Sequence, residues 1–269
     1  MNLVDIHSHL NHETFKDNIL DVLKRAQDVG VKVIIVSGVN TPSNKEVLEF
    51  AKKSDLIKVS LGIHPIDAIG LVDPDGETGL PRQTVPINLA KELKFIEEKK
   101  DEIIAIGEIG MDFHWADKEK TLSQQTEIFR KILRLAIKVK KPVIIHAWKS
   151  EEECLNVLDE EINDEIPVVL HCFGGRKSLI NRAKEKGYYF SVPPSIIKAS
   201  SFQSLVKKVD LKQLLTETDA PWQGPYKGEN NEPAYVIETI KEIAKIKNLS
   251  EEDVADQIWQ NYEKVFSGK

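Results

Sequence analysis

Apolar residues rich in Val and Ile recur in short, nearly unbroken runs at 3–6, 31–36, 57–63, 103–106, 143–145, 168–170, 188–192 and 213–215. Runs of this kind are the pattern of strands covered on both faces in a parallel sheet. The longer segments between them have helical spacing. Over 121–139, Leu122, Ile128, Phe129, Ile132, Leu135, Ala136 and Val139 make one apolar stripe. Eight strands alternating with helices predict a (β/α)8 TIM barrel, in which the first and eighth strands meet. A doubly wound open sheet would alternate in the same way but would gather its ligands at a single crevice. The segment 67–86 carries Pro74, Gly76, Gly79, Pro81 and Pro86 with little periodicity. It reads as an inserted loop on the strand-end side, placed to act as a lid. Segments 233–247 and 250–266 read as helices covering the barrel. No linker or repeat marks a boundary, so residues 1–269 are expected to form one TIM-barrel domain.

Composition narrows the function classes. A chain of 269 residues, 41% hydrophobic, can bury one large core. With 37 basic against 43 acidic side chains the net charge is −6, so no global positive field draws the protein to nucleic acid or anionic lipid. A polyanion would have to be held locally. Only two cysteines, Cys154 and Cys172, are present, too few for a disulfide framework, and both read as small core residues. No apolar run approaches the roughly 20 residues of a membrane span. The start Met-Asn-Leu-Val-Asp has no signal-peptide pattern, so a cytoplasmic location with no membrane contact is expected.

The chemistry stands where strands give way to loops. His7 and His9 flank Ser8 at the end of the first apolar run; residues two apart on a strand face the same side, and imidazole is a common metal ligand. Glu108 follows Ala105-Ile106-Gly107, His146 follows Val143-Ile144-Ile145, His171 follows Val168-Val169-Leu170, and Asp219 precedes Ala220-Pro221. In a closed barrel these positions converge on one face. Taken singly, each has an ordinary explanation: core histidines, a salt-bridged glutamate, an aspartate capping a helix. Together they exceed what one open catalytic metal needs, so two divalent metals sharing Glu108 are expected, activating a water for hydrolysis. His64, before Pro65, is expected in the same pocket. His114 is a further strand-end candidate, and His12 is expected at the solvated start of the first helix.

These residues carry a resemblance. The chain resembles the TatD-type metal-dependent hydrolases of the amidohydrolase superfamily through Asp5-Ile6-His7-Ser8-His9-Leu10, Gly62-Ile63-His64-Pro65, Ile106-Gly107-Glu108-Ile109-Gly110-Met111-Asp112, His171-Cys172-Phe173-Gly174-Gly175 and Glu217-Thr218-Asp219-Ala220-Pro221. The resemblance implies a TIM barrel with a divalent-metal centre of zinc, magnesium or manganese and, for many members, deoxyribonuclease activity. Carried over by position, His7, His9, Glu108 and Asp219 would hold one metal, and Glu108, His146 and His171 the other. His64 would contact the scissile group, and Asp219 would accept a proton from the attacking water.

Three positions depart from the family pattern. Ile66 stands where a histidine is usual, and Trp148 and Asn230 where arginines are usual. Arginine grips phosphate through a planar fork that neither residue reproduces. Lys149, Arg176, Lys177 and Lys227 are candidates to compensate, and Trp148, Trp115 or Trp222 could stack on unpaired bases. DNA, at ends or single strands, is therefore the expected substrate, contacted by His64, Trp148 and Lys149, with no obligate protein partner. The alternative is a metal-dependent hydrolase of a small ester, amide, lactone or aminoacyl ester, for which missing arginines matter less.

Overall fold

In the computed structural model, which describes residues 1–71, 80, 85–163 and 165–267, eight strands form one parallel sheet in chain order. They are β1 (Leu3–Ser8), β2 (Val31–Ser37), β3 (Ile57–Ile63), β4 (Ala105–Asp112), β5 (Val143–Trp148), β6 (Val168–Leu170), β7 (Tyr189–Val192) and β8 (Leu214–Thr216). Between and after them run α1 (Ile19–Asp28), α2 (Thr41–Phe50), α3 (Pro65–Ala68), α4 (Leu89–Glu98), α5 (Lys118–Val139), α6 (Glu151–Glu161), α7 (Lys177–Glu185), α8 (Ser200–Lys208), α9 (Val236–Lys247) and α10 (Glu251–Tyr262). This is the expected (β/α)8 TIM barrel.

Side chains together with the backbone of the loop after β8 complete the seam between β8 and β1. The Thr216 hydroxyl donates to the Val4 carbonyl, and the Thr218 N–H donates to Asp5 Oδ1 at 2.9 Å. Asp219 N–H donates to the His7 carbonyl at 2.8 Å, and His9 N–H to the Ala220 carbonyl at 2.9 Å. Asp5 is wholly buried and receives the Thr218 and His7 N–H groups on one oxygen. Burial pushes its carboxyl up to about 8, against the hydrogen bonds from Thr218. The seam thereby fixes β1, which carries two imidazoles, against the loop that carries Asp219.

The core is aliphatic: Ile6, Ile34, Leu61 and Ile106 are fully buried strand residues, and Phe129 of α5 is buried behind the sheet. Each such side chain contributes roughly 1.5–3 kcal/mol of burial. The long helix α5 starts at an Asp117 cap accepting the Lys120 N–H and stops at Lys140, which is left-handed at φ 54°.

Two glycines let β4 approach its neighbours. A Cβ on Gly62 would lie 2.3 Å from the Glu108 nitrogen, and one on Gly110, whose φ is 146°, would lie 1.9 Å from the His146 carbonyl oxygen. Any side chain at either position would push Glu108 or His146 aside.

Three expectations need correction. The fourth strand was expected over 103–106, but β4 runs Ala105–Asp112, so Glu108 lies inside the strand. Glycine and acid residues interrupt its apolar pattern, and the second half is held by pairing with β5 out to Asp112↔Trp148. The loop expected from residue 67 begins later, because Asp67 and Ala68 belong to α3; residues 72–79 and 81–84 of that expectation lie outside the described residues. His12 is not solvated: it is 7% exposed, caps the turn Glu13–Phe15 and packs edge-on against Trp222 at 5.4 Å.

Candidate metal centre

At the C-terminal mouth of the barrel, Glu108 turns its two carboxylate oxygens to two different groups of side chains. Oε2 lies 3.6 Å from His7 Nε2 and 3.5 Å from His9 Nε2. Asp219 Oδ1 stands at the same two distances from those two nitrogens, 3.6 and 3.5 Å. Ligand atoms about 2.1 Å from one ion in tetrahedral array are about 3.4 Å apart, so each of these four imidazole–carboxylate separations has the length of an edge across a divalent metal. His7 Nε2 is also buried with no hydrogen-bond partner. Imidazole and carboxylate donors suit zinc or manganese, and magnesium with added waters.

Oε1 faces the other way. It is 2.8 Å from His146 Nδ1 and 3.0 Å from His171 Nε2, and those two nitrogens are 3.4 Å apart. This triangle is tighter than the first cage and is closed by hydrogen bonds. Outward movement of the rings by a few tenths of an ångström gives it metal-ligand spacing. His64 Nε2 stands behind it, 3.9 Å from Oε1.

The far side of three of these imidazoles is held as well. His7 Nδ1 meets the Ser37 hydroxyl at 2.9 Å, which in turn meets Ser60 at 2.8 Å. His146 Nε2 meets Asp112 Oδ2 at 2.9 Å. His171 Nδ1 is 3.4 Å from Glu217 Oε2, and Glu217 is itself fixed by the Cys172 N–H at 2.8 Å. The hydrogen-bonded partners of His7 and His146 orient a ligand ring, fix its tautomer and raise its basicity, while Glu217 acts on His171 through its charge. His64 Nδ1 accepts the Ile66 N–H at 3.4 Å, which directs an Nε2–H toward the centre.

The electrostatics follow from this packing. Burial favours the neutral form of Glu108, but His171 and His146 outweigh it and hold the carboxyl well below the usual range. Burial also opposes charge on His146, yet Asp112 and Glu108 push it up to about 9. His171 is likewise raised against its burial, by Glu108 and Glu217. His7 is lowered, by burial first and then by His171. Asp219 is raised by burial, which makes its carboxylate a stronger base.

These groups open into a cleft of about 600 Å3 whose lining includes His64, Trp115, Trp148, Lys149 and Trp222. Backbones at its rim are strained: Lys149, Cys172 and Asp219 are left-handed at φ 55°, 44° and 55°. Non-glycine residues hold that conformation only where their surroundings impose it.

All six expected ligands, His7, His9, Glu108, His146, His171 and Asp219, thus lie together, and His64, Trp148 and Lys149 line the same cleft. Of the cations considered as replacements, Arg176 is tied to Glu152 at 2.9 Å. Cys172 sits half-buried in the cleft wall. Sequence reasoning missed Ser37, Asp112 and Glu217. For Asp112 a signal existed, because it lies four residues from Glu108 in one strand, and in an extended chain such residues face the same side; Glu217 lies beyond β8, in a segment that turns left-handed at Asp219.

A TIM barrel whose mouth gathers imidazoles and carboxylates into metal-sized cages is the frame of a metal-dependent hydrolase. The model of the TatD-related DNase family matches residues 4–267, and the chain belongs to that family. It is 31% identical over 268 residues to YabD of Bacillus subtilis (strain 168), an uncharacterized metal-dependent hydrolase, with 98% of each chain covered. It is 30% identical over 267 residues to the Homo sapiens deoxyribonuclease TATDN3, covering 98% of this chain and 94% of that one. In fold it is similar to the TatD homologue YJJV of Escherichia coli, with a TM-score of 0.83 over 98% of both chains at 23% identity.

Proposed function

We propose that this TatD-family metal-dependent hydrolase cleaves phosphodiester bonds of DNA at single strands or ends, using two divalent ions of zinc, manganese or magnesium. The observation that carries the reading is the placement of the Glu108 oxygens, one to His7 and His9, the other to His146 and His171. In this arrangement His7, His9, Glu108 and Asp219 would hold one ion, and Glu108, His146 and His171 the other. Bound there, a pair of ions would supply a water whose pKa is lowered toward about 7 and positive charge for the phosphoryl oxygens.

The protein's own groups supply the rest. Asp219 faces the cleft with its basicity raised by burial and takes the proton of the attacking water. His64 points its Nε2–H at the centre and steadies negative charge developing on the scissile group. Lys149 and Trp148 hold the neighbouring nucleotide.

One observation favours a second reading, a small ester, amide, lactone or aminoacyl ester. Among the described residues lining the cleft, Lys149 is the one lysine or arginine. The test uses chelator-stripped protein resupplied with zinc, manganese or magnesium, end-labelled single-stranded DNA and a neutral carboxylic ester, with Asp219→Asn as control. Metal-dependent shortening of the DNA, lost by at least 100-fold in the control, is expected. Ester turnover without DNA cleavage would select the second reading.

A further inference from the structure

The end of β5 and the turn after β4 build an aromatic pair that the hydrolytic chemistry does not use. The Trp148 indole and the His114 imidazole lie parallel, with centroids 3.9 Å apart and an interplanar angle of 4°. Trp115 stands across both rings, 4.5 Å from His114 and 6.0 Å from Trp148. The three distances make a nearly right-angled triangle with its corner at His114. Trp115 is therefore level with the imidazole and does not lie over the opposite face of the Trp148 indole. Trp148 is 45% exposed and lines the cleft.

The pair is coupled rigidly to the metal centre. Asp112 Oδ2 meets His146 Nε2, while its Oδ1 accepts the N–H groups of His114 at 2.8 Å and Trp115 at 2.9 Å. Gln125 clamps Asp112 from behind, accepting its N–H at 2.8 Å and donating to its carbonyl at 3.0 Å. Along β5, Trp148 follows His146 by two residues, so both project to the same side of the strand about 7 Å apart.

We infer that Trp148, backed by His114, is a stacking platform for an unpaired nucleobase beside the scissile phosphate. The inference rests on the phosphodiesterase reading above and adds how the substrate is selected. A base inside a duplex has both faces covered by its neighbours, so only a terminal or unpaired base can lie on the indole. Selection for single strands and ends then comes from a base contact, since an indole offers an apolar stacking face and no charge to grip phosphate. His114 is a positioning residue, because it acts through Trp148 by fixing the plane of the indole.

The test compares kcat/KM of the metal-loaded enzyme on two labelled single-stranded oligonucleotides, one with a natural terminal nucleotide and one with an abasic analogue there. The wild type is expected to prefer the base-bearing end by about 10-fold, the size of one base–aromatic stack, with the difference carried mainly by KM. Trp148→Ala brings the ratio close to one, Trp148→Phe keeps most of it, and His114→Ala lowers it to a few-fold. Metal content and melting temperature, measured on each variant, separate loss of the platform from loss of the centre. An undiminished preference in Trp148→Ala with normal metal content overturns the platform while leaving the phosphodiesterase reading intact. Failure of the wild type to cut either oligonucleotide overturns both.

Discussion

Asp112 does two jobs from one carboxylate. It orients His146 at the candidate centre and raises its affinity for a proton, so a metal bound there would compete with a proton for the same imidazole. The sign follows from the direction of the shift. His146 is raised from its ordinary 6.5 to about 9, so the stability its protonated form lends the metal-free protein is complete below about pH 6.5. That contribution disappears as the pH rises through about 9. Metal affinity should therefore climb across the same window, measured by titrating zinc against a competing chelator from pH 6 to 9. In Asp112→Asn the climb moves to lower pH, because one cause of the raised value is gone. At pH 9 the variant should bind metal about 10- to 100-fold more weakly, the usual cost of losing a group that orients a ligand. A wild-type affinity that is flat with pH would show that His146 does not compete for the ion.

Strand β1 meets the loop after β8 through Asp5, and the chemistry of that contact can be tested without touching a ligand. A carboxyl raised to about 8 is neutral at pH 7, so its place can be taken by an amide of the same shape. Asp5→Asn is expected to change stability by less than about 1 kcal/mol at pH 7, its oxygen accepting the same two N–H groups. Asp5→Ala strands those donors in a buried seam and is expected to cost about 2–4 kcal/mol, read by urea denaturation. Equal losses in the two variants would mean that the charged carboxylate holds the seam.

The same strands show what the amino-acid pattern can and cannot carry. The apolar halves of all eight strands stood out, because burial on both faces demands continuous Val and Ile. The functional halves of β1, β4 and β5 did not, since His7, Glu108, Gly110 and His146 break that pattern. They are extended because they pair with neighbouring strands, a tertiary cause that no local propensity reports. The six candidate ligands were legible because each stands at or within a few residues of the end of an apolar run, where a polar residue is conspicuous. Ser37 and Ser60 were not, because a serine at a strand end is unremarkable until the barrel closes around His7. The stacked pair of His114 and Trp148 depends on the registry of β4 with β5, which the sequence leaves open.

At the scale of the whole molecule, the candidate ligands come from the first, fourth, fifth, sixth and eighth strands or the loops after them, so a metal bound there would tie the ring together. Metal that binds only the folded protein stabilises it by about 2.7 kcal/mol at a hundredfold excess over Kd. For a chain of this size that raises the melting temperature by roughly 5–10 °C. The shift should be larger at pH 8.5 than at pH 6.5, in step with release of the His146 proton. No described helix is long and apolar enough to cross a membrane.

The account stands most directly on the bridging carboxylate. The decisive measurement is the rate of single-stranded DNA cleavage as metal is added stepwise to chelator-stripped protein, with bound metal counted at each step. The rate is expected to rise to a plateau at two ions per chain in the wild type, and Glu108→Gln should bind fewer ions and cleave at most a hundredth as fast. Full activity at one ion, or two bound ions with no cleavage of DNA, would contradict it.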